Sequence, residues 1–216
     1  MGLTFAIGDI HGCAEQMGQL ITMIETWWPA GRIVFLGDYV DRGPDSRAVV
    51  ERLMAGPSKP GWQWLALKGN HEDMMVAALR RGINASMWLA NGGEETVASF
   101  GPSVSETVID WLDALPQMHV DRHRIFVHAG VDRELGLDDQ RERTLLWSRP
   151  STDVYSDYWG RHLCHGHTPV PEAPVTVGAR TNIDSGCVFG GYLTAAVFDD
   201  EIGGPPQRFI KVINSA

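Results

Sequence analysis

The sequence predicts an α/β protein, and three observations carry that prediction. Apolar runs of strand length alternate with longer segments whose apolar residues recur at helical spacing. The first three runs end in polar loops that contain glycine: GDIHG at 8–12, GDYVDRG at 37–43 and GNHE at 69–72. At 216 residues and 44% hydrophobic, the chain is long enough for one sizeable core and short for two, so a single domain over 1–216 is expected.

The first run, Leu3 to Ile7, is too short for a helix and is stopped by Gly8. Met17, Leu20, Ile21, Ile24 and Trp28 then follow helical spacing until Pro29 and Gly31 end the run. The pattern repeats with a strand from Ile33 to Leu36 and a helix from about Ser46 to Ala55, closed by Gly56 and Pro57. It repeats again with a strand near Gln63 to Leu67 and a helix carrying Met74, Met75, Ala78 and Leu79. Such alternation implies parallel strands joined by right-handed crossovers, whose carboxyl-end loops converge on one crevice. From about 83 to 115 the chain reads as helical hairpins: a piece over Ala85–Leu89, a turn at Asn91 to Gly93 and a short helix to Phe100. A capping box from Ser103 to Glu106 then opens a helix with Val104, Val108, Trp111, Leu112 and Leu115 on one face. Strand character returns at Met118; Arg124 to Val127 runs into His128, and Arg161 to Cys164 runs into His165-Gly-His167. Three further strands are expected at Ala179–Ile183, Leu193–Phe198 and Arg208–Ile213, with a proline-rich loop over 169–174.

The balance of 18 basic against 27 acidic residues, a net charge of −9, disfavours a nucleic-acid groove, because phosphate-backbone binding rests on Lys/Arg counterion release. No apolar stretch approaches the roughly 18 residues of a membrane helix. The N-terminus has no basic segment followed by a cleavable apolar one, and Ala6 stands where a myristoylation motif needs Ser or Thr. Cys13, Cys164 and Cys187 are an odd, unpatterned set, read as small buried hydrophobes and reduced thiols. A cytoplasmic protein without nucleic-acid or membrane partners is expected.

Collected by strand end, the polar residues are Asp9 and His11, Asp38, Asn70 and His71, His128, then His165 and His167. Carboxylate, amide oxygen and imidazole together suit Mn²⁺, Fe or Zn²⁺, and no thiolate set favours a structural zinc. Six such donors suffice for two metals that share one carboxylate. A pair of this kind clamps the attacking and leaving oxygens of a phosphoryl displacement. One Gly-Asp loop is usually only a turn; five coincident strand-end sites are hard to dismiss.

GDIHG, GDYVDRG, GNHE, HAG and GHTP, in this order, resemble the calcineurin-like metallophosphoesterases, specifically the phosphoprotein phosphatases of the bacterial and bacteriophage lambda type. The likeness extends to 88–93, Leu146 to Arg149 and Asn182 to Gly186, nearly the whole chain. It implies a β-sandwich flanked by helices in α-β-β-α layers, and two divalent ions, with Mn²⁺ the expected pair and Fe/Zn suited by the same donors. It further implies Asp9 and His11 on one metal, Asp38 bridging, and Asn70, His128 and His167 on the other. His71 would be the general acid, Asp41 the carboxylate that orients it, and Arg42 and Arg149 the phosphate-gripping arginines. Lys68 departs from the family's usual Arg before GNHE, which puts a forked contact there in doubt. His165 is expected either beside the site or exposed, and His119, His123 and His162 are expected to be structural.

The activity so implied is direct hydrolysis of a phosphomonoester, a phosphoserine or phosphothreonine of a protein or peptide, by a metal-bridging water and without a phosphoenzyme. The nearest rival is a dinucleoside polyphosphate hydrolase with the same cage, ranked second because those relatives tend to lack Asp41 and to carry GNHD. A catalytically dead phosphopeptide-binding scaffold is the rival of another class; its signature, a missing ligand or a missing His71, is absent here. Specificity is expected in the loops 150–160 and 168–179, where Tyr155, Tyr158 and Trp159 either line a groove or cap the core.

Overall fold

The computed structural model describes residues 2–149 and 153–215, so the first residues of the 150–160 loop fall outside the described residues. The chain runs β1 (Leu3–Ile7), α1 (Ala14–Trp27), β2 (Gly31–Phe35), α2 (Ser46–Ala55), β3 (Trp62–Ala66) and α3 (Asn70–Arg81). Then come α4 (Ala85–Trp88), α5 (Glu94–Phe100), α6 (Glu106–Asp113), β4 (Met118–Val120), β5 (Arg124–Val127) and α7 (Glu142–Trp147). It closes with β6 (His162–His165), β7 (Val175–Val177), β8 (Arg180–Asn182), β9 (Tyr192–Asp199) and β10 (Arg208–Ile213).

The strands form two five-stranded sheets, ordered β10-β9-β1-β2-β3 and β4-β5-β6-β8-β7. In the first, β1, β2 and β3 are parallel while β9 and β10 run antiparallel. In the second, β5, β6 and β8 are parallel between antiparallel edge strands. Alternate residues of each strand point to opposite faces. Phe5, Ile7, Ile33 and Phe35 therefore meet the layer of α1, α2, α3 and α6, while Ala6, Val34 and Leu36 meet Phe126, Cys164, Ala196 and Phe198 between the sheets. Ile125, Val127 and Leu163 turn outward, where Leu145 of α7 and Tyr158 cover them. The layers are helix, sheet, sheet and a thinner fourth layer. All six parallel strands deliver their carboxyl-end loops to one end of the sandwich.

One expectation needs correction. The cap of α6 is Ser105, whose Oγ accepts Val108 N–H at 3.4 Å, so the Ser103–Glu106 box does not form. The short helix α7 and the edge strand β7 are additional elements; α7 spans 6 residues and β7 3, too short for periodicity to register. The turn expected at Asn91 to Gly93 is present between α4 and α5, where Asn91 and Gly92 leave helical geometry with Gly92 at φ 101°. No helix among the described residues is long and apolar enough to cross a membrane.

Candidate metal centre

Two donor groups meet at Asp38: His11, Asp38 and His71 on one side, and Asp38, His128 and His167 on the other. Asp38 Oδ2 lies 3.4 Å from His11 Nε2, and Oδ1 lies 3.3 Å from His128 Nε2. His128 Nε2 also lies 2.9 Å from Asn70 Oδ1 and 3.2 Å from His167 Nδ1. Asp9, expected beside His11, stands outside both groups; its carboxylate accepts the His167 backbone N–H at 3.1 and 3.2 Å.

The nitrogen that each imidazole presents is fixed from behind. His11 Nδ1 donates to Val40 O at 2.8 Å, and His128 Nδ1 to Leu36 O at 2.9 Å, which leaves the Nε2 lone pairs facing the cluster. Lone pairs of His128, Asn70, His167 and Asp38 thus face one another inside a buried space. Only positive charge between them makes that arrangement favourable. Arg42 Nη1 meets the His11 Nε2 lone pair at 2.6 Å, so a cation already stands against this donor. The donor set fits two divalent cations that share Asp38.

Charge balance points the same way. Burial, then the negative charges of Asp184 and Asp38, push the Asp9 carboxyl well above the usual carboxylate range. Burial, then Glu72, does the same to Asp38. Burial holds His11, His71 and His128 well below the usual histidine range, and pushes His167 down to about 4. Buried carboxylates that resist ionising beside imidazoles that resist protonation form a site that gains from added cations.

His71 Nδ1 lies 2.6 Å from Asp41 Oδ2, while its Nε2 faces Asp38 at 3.9 Å. Asp41 is itself held: it accepts Trp88 Nε1–H at 3.0 and 3.1 Å and Thr96 Oγ1–H at 2.7 Å. The turn after α4 reaches the same loop, because Gly92 O accepts Arg42 N–H at 3.0 Å. A Cβ on Gly92 would lie 2.6 Å from the Arg42 backbone nitrogen, so this close approach requires glycine. The 88–93 segment therefore positions Asp41 and Arg42.

Sequence reasoning gave no role to Glu72 or Asp184. Glu72, at the start of α3, accepts four backbone N–H groups: Asp38 at 2.8 Å, Tyr39 at 2.7 Å, Val40 at 3.3 Å and Gly69 at 2.8 Å. It ties the loop after β2 to the loop after β3. Burial pushes its pKa up to about 7, against the pull of these donors. Asp184 follows β8 and is buried, pushed up to about 6, and close enough to Asp9 to raise it. An acid after a strand end marks both as candidates in the sequence, but not which distant groups they touch.

The remaining residues sort plainly. Lys68 turns away from the centre, with its Nζ donating to Asp113 O at 2.8 Å. His165 is buried with Nδ1 3.0 Å from Gly166 O, and His162 Nε2 lies 2.8 Å from Thr181 Oγ1. His119 stacks on Phe126. All three cysteines are buried and free. A cavity of about 340 Å³ opens over the centre, lined by Asp38, Asn70, His71 and His167, by Arg42 and Arg149, and by Trp147 and Phe189. Arg149 also borders a second cavity of about 350 Å³ that Tyr155 and Tyr158 line, and both tyrosines pack on the outer core as well. Trp159 packs there too.

Residues 4–200 match the calcineurin-like phosphoesterase family. The chain is 30% identical to the bis(5'-nucleosyl)-tetraphosphatase PrpE [asymmetrical] of Bacillus thuringiensis (strain Al Hakam), over 88% of this chain and 87% of that protein. Its fold resembles a crystal structure assigned as a diadenosine tetraphosphatase, with TM-score 0.69 and 24% identity over 98% of this chain and 93% of the other. It also resembles a cold-active protein tyrosine phosphatase, with TM-score 0.72 and 16% identity over 100% of this chain and 77% of that one.

Proposed function

Because the chain belongs to the calcineurin-like phosphoesterase family, whose members are metal-dependent hydrolases, we propose that it cleaves a dinucleoside tetraphosphate asymmetrically. The observation that carries this reading is the similarity to the tetraphosphatases over 88% of the chain. It reverses the sequence-based ranking. The metal-binding motifs serve any phosphoryl transfer, so the ranking rested on Asp41 and GNHE alone, which similarity over most of the chain outweighs.

Asp9, His11 and Asp38 would hold one cation, and Asp38, Asn70, His128 and His167 the other. When bound, the pair supplies Lewis acidity: it neutralises phosphoryl oxygens and makes a water acidic enough to ionise near neutral pH. Arg42 and Arg149 face the cavity and grip the phosphate oxygens. His71, held by Asp41 through Nδ1, presents Nε2 to protonate the departing oxygen. One water is consumed, one P–O–P bond breaks, and a nucleoside mono- and triphosphate leave.

Hydrolysis of phosphoserine or phosphothreonine is the second reading. The His71–Asp41 pair favours it, since an alkoxide needs a proton more than a phosphate leaving group does. Rates on diadenosine tetraphosphate and on a phosphoserine/phosphothreonine peptide panel, with Mn²⁺ and with Fe²⁺ or Zn²⁺, separate the two. We expect AMP and ATP from the dinucleotide, with kcat/KM at least tenfold above the best peptide. A faster peptide and an intact dinucleotide would sink the first reading.

A further inference from the structure

Phe189 and Trp147 expose 66% and 40% of their surfaces beside a buried polar centre. Phe189 ends the short turn Cys187–Phe189, and that turn is firmly anchored. Cys187 is buried and its carbonyl accepts Asn214 Nδ2–H at 3.0 Å, while Phe189 N–H and Gly191 N–H both return to Gly186 O at 2.9 and 3.0 Å. Gly186 and Gly190, at φ 65° and 83°, bracket the turn. The ring is thus held out into water on a fixed base. Little conformational freedom remains to be lost when something covers it.

Its neighbours narrow what that something is. The Arg42 guanidinium lies 5.6 Å from the Phe189 ring centroid, and the Trp147 ring meets His167 edge-on at 6.3 Å. Flat apolar faces next to cationic phosphate-gripping groups, around one cavity, match a ligand that is anionic at one end and a flat ring at the other. A nucleotide has that form, and aromatic side chains stack on any base because each presents a π face.

We propose that Phe189, together with Trp147, is the base-stacking platform of the cleft, taking the nucleobase of a nucleotide whose phosphate lies against Arg42. This rests on the dinucleotide reading above. The experiment compares 5'-AMP with ribose 5-phosphate, which keeps the phosphomonoester and lacks the base, by calorimetry on the Mn²⁺-loaded protein. Wild type should bind AMP roughly tenfold or more tighter than ribose 5-phosphate, and GMP within a few-fold of AMP. Phe189→Ala should weaken AMP binding roughly five- to hundredfold, far more than it weakens ribose 5-phosphate, and Phe189→Tyr should restore the preference. No preference in wild type, or a preference that survives Phe189→Ala, overturns the platform. Diadenosine tetraphosphate turnover is measured alongside. If wild type spares the dinucleotide but keeps the AMP preference, the substrate reading fails and the platform stands; if it cleaves the dinucleotide with a KM that Phe189→Ala does not raise, the platform alone fails.

Discussion

Five of the seven non-glycine residues with positive φ among those described are His11, Asp38, Asp41, Arg42 and His167. Left-handed backbone costs a non-glycine residue roughly 1–3 kcal/mol, so surrounding contacts must over-determine it. Here the strain aims side chains from loops at a common centre. Asp9, His11, Asp38, Asn70, His71, His128 and His167 were all readable as donors because each follows an apolar run. Their roles divide at His71. His71→Asn should keep metal content, measured by elemental analysis, and lower kcat on an alkyl phosphomonoester by roughly 10²–10⁴-fold. Its effect on the tetraphosphate should be smaller, because the leaving phosphate needs less protonation. Equal rates for variant and wild type on the alkyl ester would remove His71 from the acid role.

The loops are held by elements rather than by ligands. Through Glu72, α3 fastens the ends of β2 and β3, and α4 with the following turn fastens Asp41 and Arg42 through Trp88 and Gly92. The amphipathic stripes announced the larger helices but not these ties, one of which joins residues 47 apart in sequence. Glu72→Gln replaces one acceptor oxygen with a donor that faces N–H groups. It should cost roughly 2–4 kcal/mol in urea unfolding of the metal-free protein and weaken metal binding, although Glu72 is no ligand. Unchanged stability would show that the four N–H groups find other acceptors.

Across the molecule, the buried histidines tie stability to acidity. Burial pushes the His162 pKa from an ordinary 6.5 to about 4. Between those values the unfolded chain binds more protons than the folded one, so stability is present above about 6.5 and is lost as pH falls toward 4. From pH 7 to pH 5 this group alone should remove roughly 2 kcal/mol. Asp41 and Glu72, both pushed up to about 7, act in the opposite sense. The test is therefore a difference: metal-free His162→Gln should lose roughly 2 kcal/mol less than wild type over that range, and parallel losses would refute the assignment. Periodicity, strand-end glycines and donor types determined the α/β class, the succession of strand-end loops and the donor set, because these are local properties of the chain. Only the tertiary structure decided that two sheets bring six parallel strand ends to one place, that Glu72 ties the loops after β2 and β3 together, and that Asp184 lies close enough to Asp9 to raise its pKa. Those outcomes depend on hydrogen bonds and charge contacts between distant segments, for which no short window of sequence carries a signal.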